Sequence, residues 1–135
     1  QKRLHNNIKE RVKNVFLSVG EVFWVTNEGQ IDIATAISGS GPAYFYYFSE
    51  SLILAAIKLG MPKKLANELV DQTFVGAALL NKDSKDSLSK LRKKVTSKGG
   101  TTEAAINSLS EGRLEEIVKR AVECAHKKSL ELSER

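Results

Sequence analysis

The sequence predicts an all-α fold, a helical bundle interleaved with a second copy of itself in a dimer. Three observations predict it. Apolar residues recur at three- and four-residue spacing through most of the 135 residues. Only two prolines occur, Pro42 and Pro62, and each falls where a helix would open. The segment 42–59 is apolar around most of its circumference, through Phe45, Phe48, Leu52, Ile53, Leu54 and Leu59. Such a helix is expected to be buried on several sides, which one small domain can hardly provide, so a partner chain should cover part of it. A central core helix in a monomer is the competing reading.

Each element follows from its pattern. Leu4, Ile8, Val12, Val15, Phe16 and Val19 give an opening helix over residues 4–18, with Gly20 just past its end. Val22-Phe23-Trp24-Val25 reads as extended or as a loop packed on the core. Residues 31–38 form a short helix, closed by the turn Ser38-Gly39-Ser40-Gly41-Pro42. That turn resembles a phosphate loop in composition but lacks the Lys-Ser/Thr ending such a loop needs. Gly60 ends the apolar helix, and Met61-Pro62 opens another that runs to about Asn81. In it, Gly76, Ala77 and Ala78 make one surface small enough for close helix approach. Residues 88–94 form a short basic helix. Residues 104–110 follow a glycine hinge, Glu111-Gly112 breaks the chain, and residues 114–132 make the terminal helix.

Composition narrows the function. Hydrophobic residues are 41% and charged residues 27% of the chain, as in an ordered globular protein, and the whole of 1–135 is expected to be one domain. The single cysteine, Cys124, has no internal partner, which suits a reducing compartment and a cytoplasmic location. Gln1-Lys2-Arg3-Leu4-His5 is not the start of a signal peptide. Residues 43–59 are interrupted by Ser49, Glu50, Ser51 and Lys58, so no membrane span is expected. Between Lys82 and Lys98 lie seven basic residues against Asp83 and Asp86, an excess equal to the net charge of the whole chain, +5. A basic cluster can bind nucleic acid or an acidic partner, but no aromatic residue interleaves here to stack on bases. A solvated face beside an anion site is the simpler account.

Several chemistries find no residues to carry them. His5 and His126 are the only histidines, without Cys/His ligand spacing, so no metal site is expected. Glu115 and Glu116 are consecutive in a helix and point apart, which makes them poor acid/base partners. No strand-led GxGxxG occurs, so a dinucleotide-binding unit would have to come from elsewhere.

The stretch with chemical promise is Val95-Thr96-Ser97-Lys98-Gly99-Gly100-Thr101-Thr102-Glu103. Two glycines permit a sharp turn and close approach of a ligand. The next helix begins with unpaired N–H groups and the positive end of its dipole, suited to a carboxylate or phosphate. Ser97, Thr101 and Thr102 add three hydroxyls. The plainer reading is a capped helix start, with Gly100 at N-cap, Glu103 at N3 and the threonines satisfying unpaired donors.

Ser38-Gly-Ser-Gly-Pro-Ala-Tyr44, Lys58-Leu-Gly-Met-Pro62 and Leu91-Arg-Lys-Lys-Val-Thr-Ser-Lys-Gly-Gly-Thr-Thr-Glu-Ala-Ala105, in that order, resemble the C-terminal half of the pyrroline-5-carboxylate reductase family. The resemblance runs from about Gly20 to the C-terminus. It implies a homodimer, with or without further assembly. It also implies an N-terminal Rossmann domain outside this chain that holds NADPH or NADH, so that the chain is an inactive fragment on its own. The substrate would be 1-pyrroline-5-carboxylate, reduced to proline in the last step of proline biosynthesis. Ser97, Gly99, Gly100, Thr101 and Thr102 would bind it. The N–H groups of Thr101 and Thr102 and the Ser97 hydroxyl would take its carboxylate, and the Thr102 hydroxyl would serve the ring nitrogen as the catalytic group. Pro42 would lie near the nicotinamide. Lys98 departs from the resemblance, standing where many relatives have proline.

Overall fold

A computed structural model describes residues 6–133. Seven α-helices follow one another: α1 Asn6–Phe16, α2 Gly29–Ala34, α3 Gly41–Lys58, α4 Lys63–Asp83, α5 Leu88–Lys94, α6 Thr101–Glu111 and α7 Leu114–Ser133. A single π-helical turn, Thr35–Gly39, continues α2 towards α3. No strand occurs among the described residues. The all-α expectation holds, and α5 begins and ends where the pattern placed it.

Two groups of elements pack. In one, α3 and α4 form an antiparallel pair across the short link 59–62, with the rings of Phe45 and Phe74 5.7 Å apart between centroids. The link is a Schellman motif: Gly60 adopts φ +100, its N–H bonds Ile57 O at 2.9 Å, and Met61 N–H bonds Ala56 O at 3.0 Å. In the other, α7 packs on α2 and the π turn, and α6 packs on α7. Ser129 Oγ donates to Asp32 Oδ1 at 2.7 Å, tying α7 to α2 across 97 residues of sequence. The π turn lies against α3 as well as α7 and so joins the two groups. There Tyr44 Oη donates to Ala36 O at 3.0 Å.

The core is small. Among the apolar side chains of the described residues only Ala36 and Ala66 are fully buried, and the accessible surface is 11865 Å². A compact chain of this mass would expose roughly 7,000 Å². The excess lies largely on helix faces that no other part of the chain covers: on α3, Tyr47 is 74% and Leu54 68% exposed. The predicted small surface at Gly76 is also open, since a Cβ there would meet nothing within 4 Å. Hence the chain is an open array of helices, not a closed bundle. Its periodic stripes are correct as periodicity but largely lack their counterpart surface.

Several sequence expectations need correction. The first helix ends at Phe16, not residue 18, and its expected start at 4 and His5 lie outside the described residues. Residues 22–25 have no regular secondary structure, and they are not packed on a core: Phe23 is 85% exposed, and Trp24 meets Lys9, whose Nζ lies 5.6 Å from the ring centroid. Ser38 to Pro42 is not an open turn. Gly39 closes the π turn, Ser40 is right-handed at φ −85, and Gly41 starts α3, which leaves Pro42 at its second position. Pro62 sits at the N-cap of α4 with ψ 135, one residue before the helix proper. At the α6–α7 break it is Arg113, at φ 56, that turns left-handed, while Gly112 stays right of that region at φ −71.

The Asp32–Ser129 bond should contribute measurably, because it is the side-chain link between the first and last helices of its group. Asp32→Ala and Ser129→Ala should each lower stability by about 1–2 kcal/mol in urea titrations, and the double variant should lose less than the sum.

Candidate functional site

The site is built on the connection from α5 to α6. Ser87 caps α5, its Oγ accepting Lys90 N–H at 3.3 Å. Just before it, Asp86 binds Lys90 Nζ through Oδ1 at 2.6 Å and Lys94 Nζ through Oδ2. Hydrogen bonds from Lys90, then from Lys94, hold the Asp86 carboxyl below its ordinary value of 3.8. This clamp anchors the last residue of α5, from which the glycine loop departs. Thr96 Oγ1 closes the helix end by donating to Arg92 O at 2.7 Å.

Residues 97–100 then form a tight turn. Gly100 N–H bonds Ser97 O at 3.0 Å, Gly99 has φ +73, and Lys98 is not left-handed. Those features define a type II turn with Lys98 at its second position and glycine where positive φ is needed. A Cβ on Gly100 would come within 3.1 Å of Ser97 O, so the second glycine is fixed by the close approach of its own turn. Gly100 is the N-cap of α6 and Glu103 its third residue, as the plainer sequence reading has it. The rest of that reading does not hold. No side chain caps α6, and the Glu103 carboxylate reaches back one residue further than in a capping box, accepting Gly99 N–H at 2.7 Å.

Consequently the N–H groups of Gly99 and Gly100 are used internally, which removes them as donors to a ligand. Those of Thr101, Thr102 and Glu103 have no partner among the described residues, and neither do the hydroxyls of Ser97, Thr101 and Thr102. Three N–H groups in sequence at the positive end of an 11-residue helix, beside three unbonded hydroxyls, form a cradle for an anion. Ser97, Gly99, Gly100, Thr101 and Thr102 are thus brought together by one turn. Pro42 is not: α3 packs on α4 and the π turn, whereas α6 packs on α7. The cradle is open on this chain. Two surface clefts lie elsewhere, at the opposite end of α6 around Arg113 and Glu116, and on the Ile8–Val12 face of α1. No group of three His, Cys, Asp or Glu side chains converges on a metal site among the described residues. None of their helices is long and apolar enough to cross a membrane.

The Glu103–Gly99 bond and the Asp86 clamp were not read from the sequence. The signal for the second was available, since Asp86 and Lys90 are four residues apart. The first depends on the left-handed Gly99, which turns that N–H towards α6.

An open helical array with bare apolar faces and a row of unbonded donors at the start of α6 defines an all-α domain with a candidate anion site. Comparison with known proteins makes the class specific. The family described as pyrroline-5-carboxylate reductase dimerisation matches residues 28–132, and the chain belongs to that family. It is 41% identical to a pyrroline-5-carboxylate reductase of Pseudomonas aeruginosa over 125 residues, which cover 93% of this chain and 46% of the relative. The chain therefore spans about half the length of the curated relatives it matches. A Coxiella burnetii pyrroline-5-carboxylate reductase superimposes with TM-score 0.94 at 39% identity, covering 98% of this chain and 49% of that one. A Plasmodium falciparum pyrroline carboxylate reductase with NADP bound gives TM-score 0.84 at 39% identity, covering 96% and 49%.

Two predictions follow from the loop. Lys98→Pro should raise stability by about 0.4–1 kcal/mol in thermal unfolding, because the second position of a type II turn accepts proline and the Lys98 N–H makes no bond here. Because the folded Asp86 carboxyl titrates below its ordinary value, its contribution is complete above pH 3.8 and is lost as pH falls through the lower folded value. Asp86→Asn should therefore lower the urea midpoint at pH 7 and flatten its decline below pH 3.8.

Proposed function

We propose that this chain is the substrate-binding and dimerisation domain of a pyrroline-5-carboxylate reductase, which reduces 1-pyrroline-5-carboxylate to L-proline at the end of proline biosynthesis. The observation that carries the reading is the row of unbonded N–H groups of Thr101, Thr102 and Glu103 behind a closed glycine turn. A carboxylate there meets fixed donors and the helix dipole without reorganisation of the backbone. In this reading Thr101 N–H, Thr102 N–H and the Ser97 hydroxyl hold the substrate carboxylate. Gly99 and Gly100 shape the turn and do not donate. The Thr102 hydroxyl hydrogen-bonds the ring nitrogen, which must carry a proton when hydride reaches the C=N carbon, and so acts as the catalytic group. A protonated imine is already electrophilic, so the protein's work is positioning and charge complementarity.

A nicotinamide cofactor, NADPH or NADH, supplies the hydride, a reading supported by the NADP bound in the Plasmodium relative. This chain fits only a small part of such a molecule. Among the described residues there is no strand and hence no strand–glycine–helix turn for the dinucleotide. Pro42, exposed and without an N–H, is the group assigned to the nicotinamide. The rest would bind an N-terminal Rossmann domain outside residues 1–135, and the chain alone would be inactive. The exposed, unpaired Cys124 supports the cytoplasm as its location.

The partner in this reading is a second copy. The area in excess of a compact chain, roughly 5,000 Å², is several times the 800 Å² or so that each partner buries in a complex of standard size. Light scattering should give twice the chain mass at low and high salt, and Leu54→Glu should reduce it to the monomer. On the same dimer, proline should bind at least about tenfold more tightly than prolinamide, which lacks the carboxylate. A folded monomer that binds nucleic acid with steep salt dependence would replace this reading with that of a basic interaction module.

A further inference from the structure

We infer that Glu103 is a positioning residue for the carboxylate cradle: by holding the Gly99 N–H, it keeps the turn closed and its own carboxylate out of the substrate's place. The inference rests on the proposed substrate role of the loop and gives Glu103, which the sequence placed only as part of a helix cap, a role towards the ligand.

The contact is specific. Glu103 is half-buried at the third position of α6, and its Oε2 accepts from Gly99 N at 2.7 Å. Gly99 is exposed, left-handed at φ +73, and free of side-chain contacts that would hold it, as even an added Cβ would meet nothing within 4 Å. Glycine samples both signs of φ with equal ease, so the turn needs an external hold. Two bonds provide it: Gly100 N–H to Ser97 O from within, and Glu103 from the helix that the turn introduces. The second couples the loop to α6, the element whose first N–H groups form the cradle.

The bond also disposes of a competitor. A glutamate at the third helical position is drawn to the free N–H groups of the first turn, the same donors a substrate carboxylate requires. No side chain at the N-cap can occupy them, because Gly100 has none. With Gly99 N–H as its partner, the Glu103 carboxylate is satisfied two residues before the helix, just outside its N-cap. Thr101 and Thr102 are left free.

Three substitutions separate this role from a general effect of negative charge on the helix dipole. Glu103→Gln keeps the reach and loses the charge, Glu103→Asp keeps the charge and loses the reach, and Glu103→Ala loses both. Amide hydrogen exchange at Gly99 and proline titration, both on the dimeric chain, are the readouts. Expected is a Gln variant within about threefold of the parent in both. The Asp and Ala variants should show at least about fivefold faster Gly99 exchange and about tenfold weaker proline binding. An Asp variant equal to the parent, with Gln resembling Ala, would reduce Glu103 to a helix-dipole residue and overturn the inference. Unchanged Gly99 exchange in the Ala variant would overturn it too. Failure of the parent to bind proline would instead remove the proposed substrate site, while the exchange series still decides whether Glu103 holds Gly99.

Discussion

Apolar surface that one chain cannot cover is the constraint on which this molecule depends. Its helices are ordinary in length and pattern, yet α3 presents Tyr47 and Leu54 outwards, and among the apolar side chains of the described residues only two alanines are wholly enclosed. Burial is the main favourable term in folding and must offset the loss of chain entropy. An array this open buries little apolar surface of its own, so the proposed dimer would bear on its stability as well as on its assembly. This accounts for why α3 is apolar on faces that lie far from α4, and why Gly76 leaves room that no residue of its own chain fills.

The same openness sets the character of the candidate site. The cradle at the start of α6 has no walls of its own, only a turn, a helix end and a few hydroxyls. Its precision comes from short-range bonds. Asp86 draws in Lys90 and Lys94, Thr96 closes α5, Ser97 O takes Gly100 N–H, and Glu103 takes Gly99 N–H. Each satisfies a group that would otherwise compete for a ligand, and what remains unbonded is a compact row of donors. In the proposed reading such a site would bind through the backbone, which changes little with sequence, and would take its walls from the second copy.

Charge is distributed in keeping with that role. The basic residues between Lys82 and Lys98 lead into the loop along the chain, and among them Asp86 is spent on two lysines. Lys98 makes no ion pair among the described residues and sits on the turn itself. A positive field around an anion site raises the local concentration of anionic ligands and weakens with salt.

The sequence by itself determined what depends on neighbours along the chain. Periodicity located the helices, Gly60 marked the end of α3, the Gly99-Gly100 pair marked a turn, and Gly100 with Glu103 marked the start of α6. Helix bonds and turns close within five residues, so their instructions are local and can be read in order. The segment 38–42 misled for a related reason: glycines permit a turn without requiring one, and packing of the π turn between α3 and α7 kept them right-handed. Packing settled that Ser129 would meet Asp32 and that Phe23 would stand exposed, and the left-handed turn, though local, settled that Glu103 would reach past the N-cap to Gly99. Those outcomes depend on which surfaces are present to pack and on the direction a left-handed residue gives its N–H. Neither is written in the spacing of residue types.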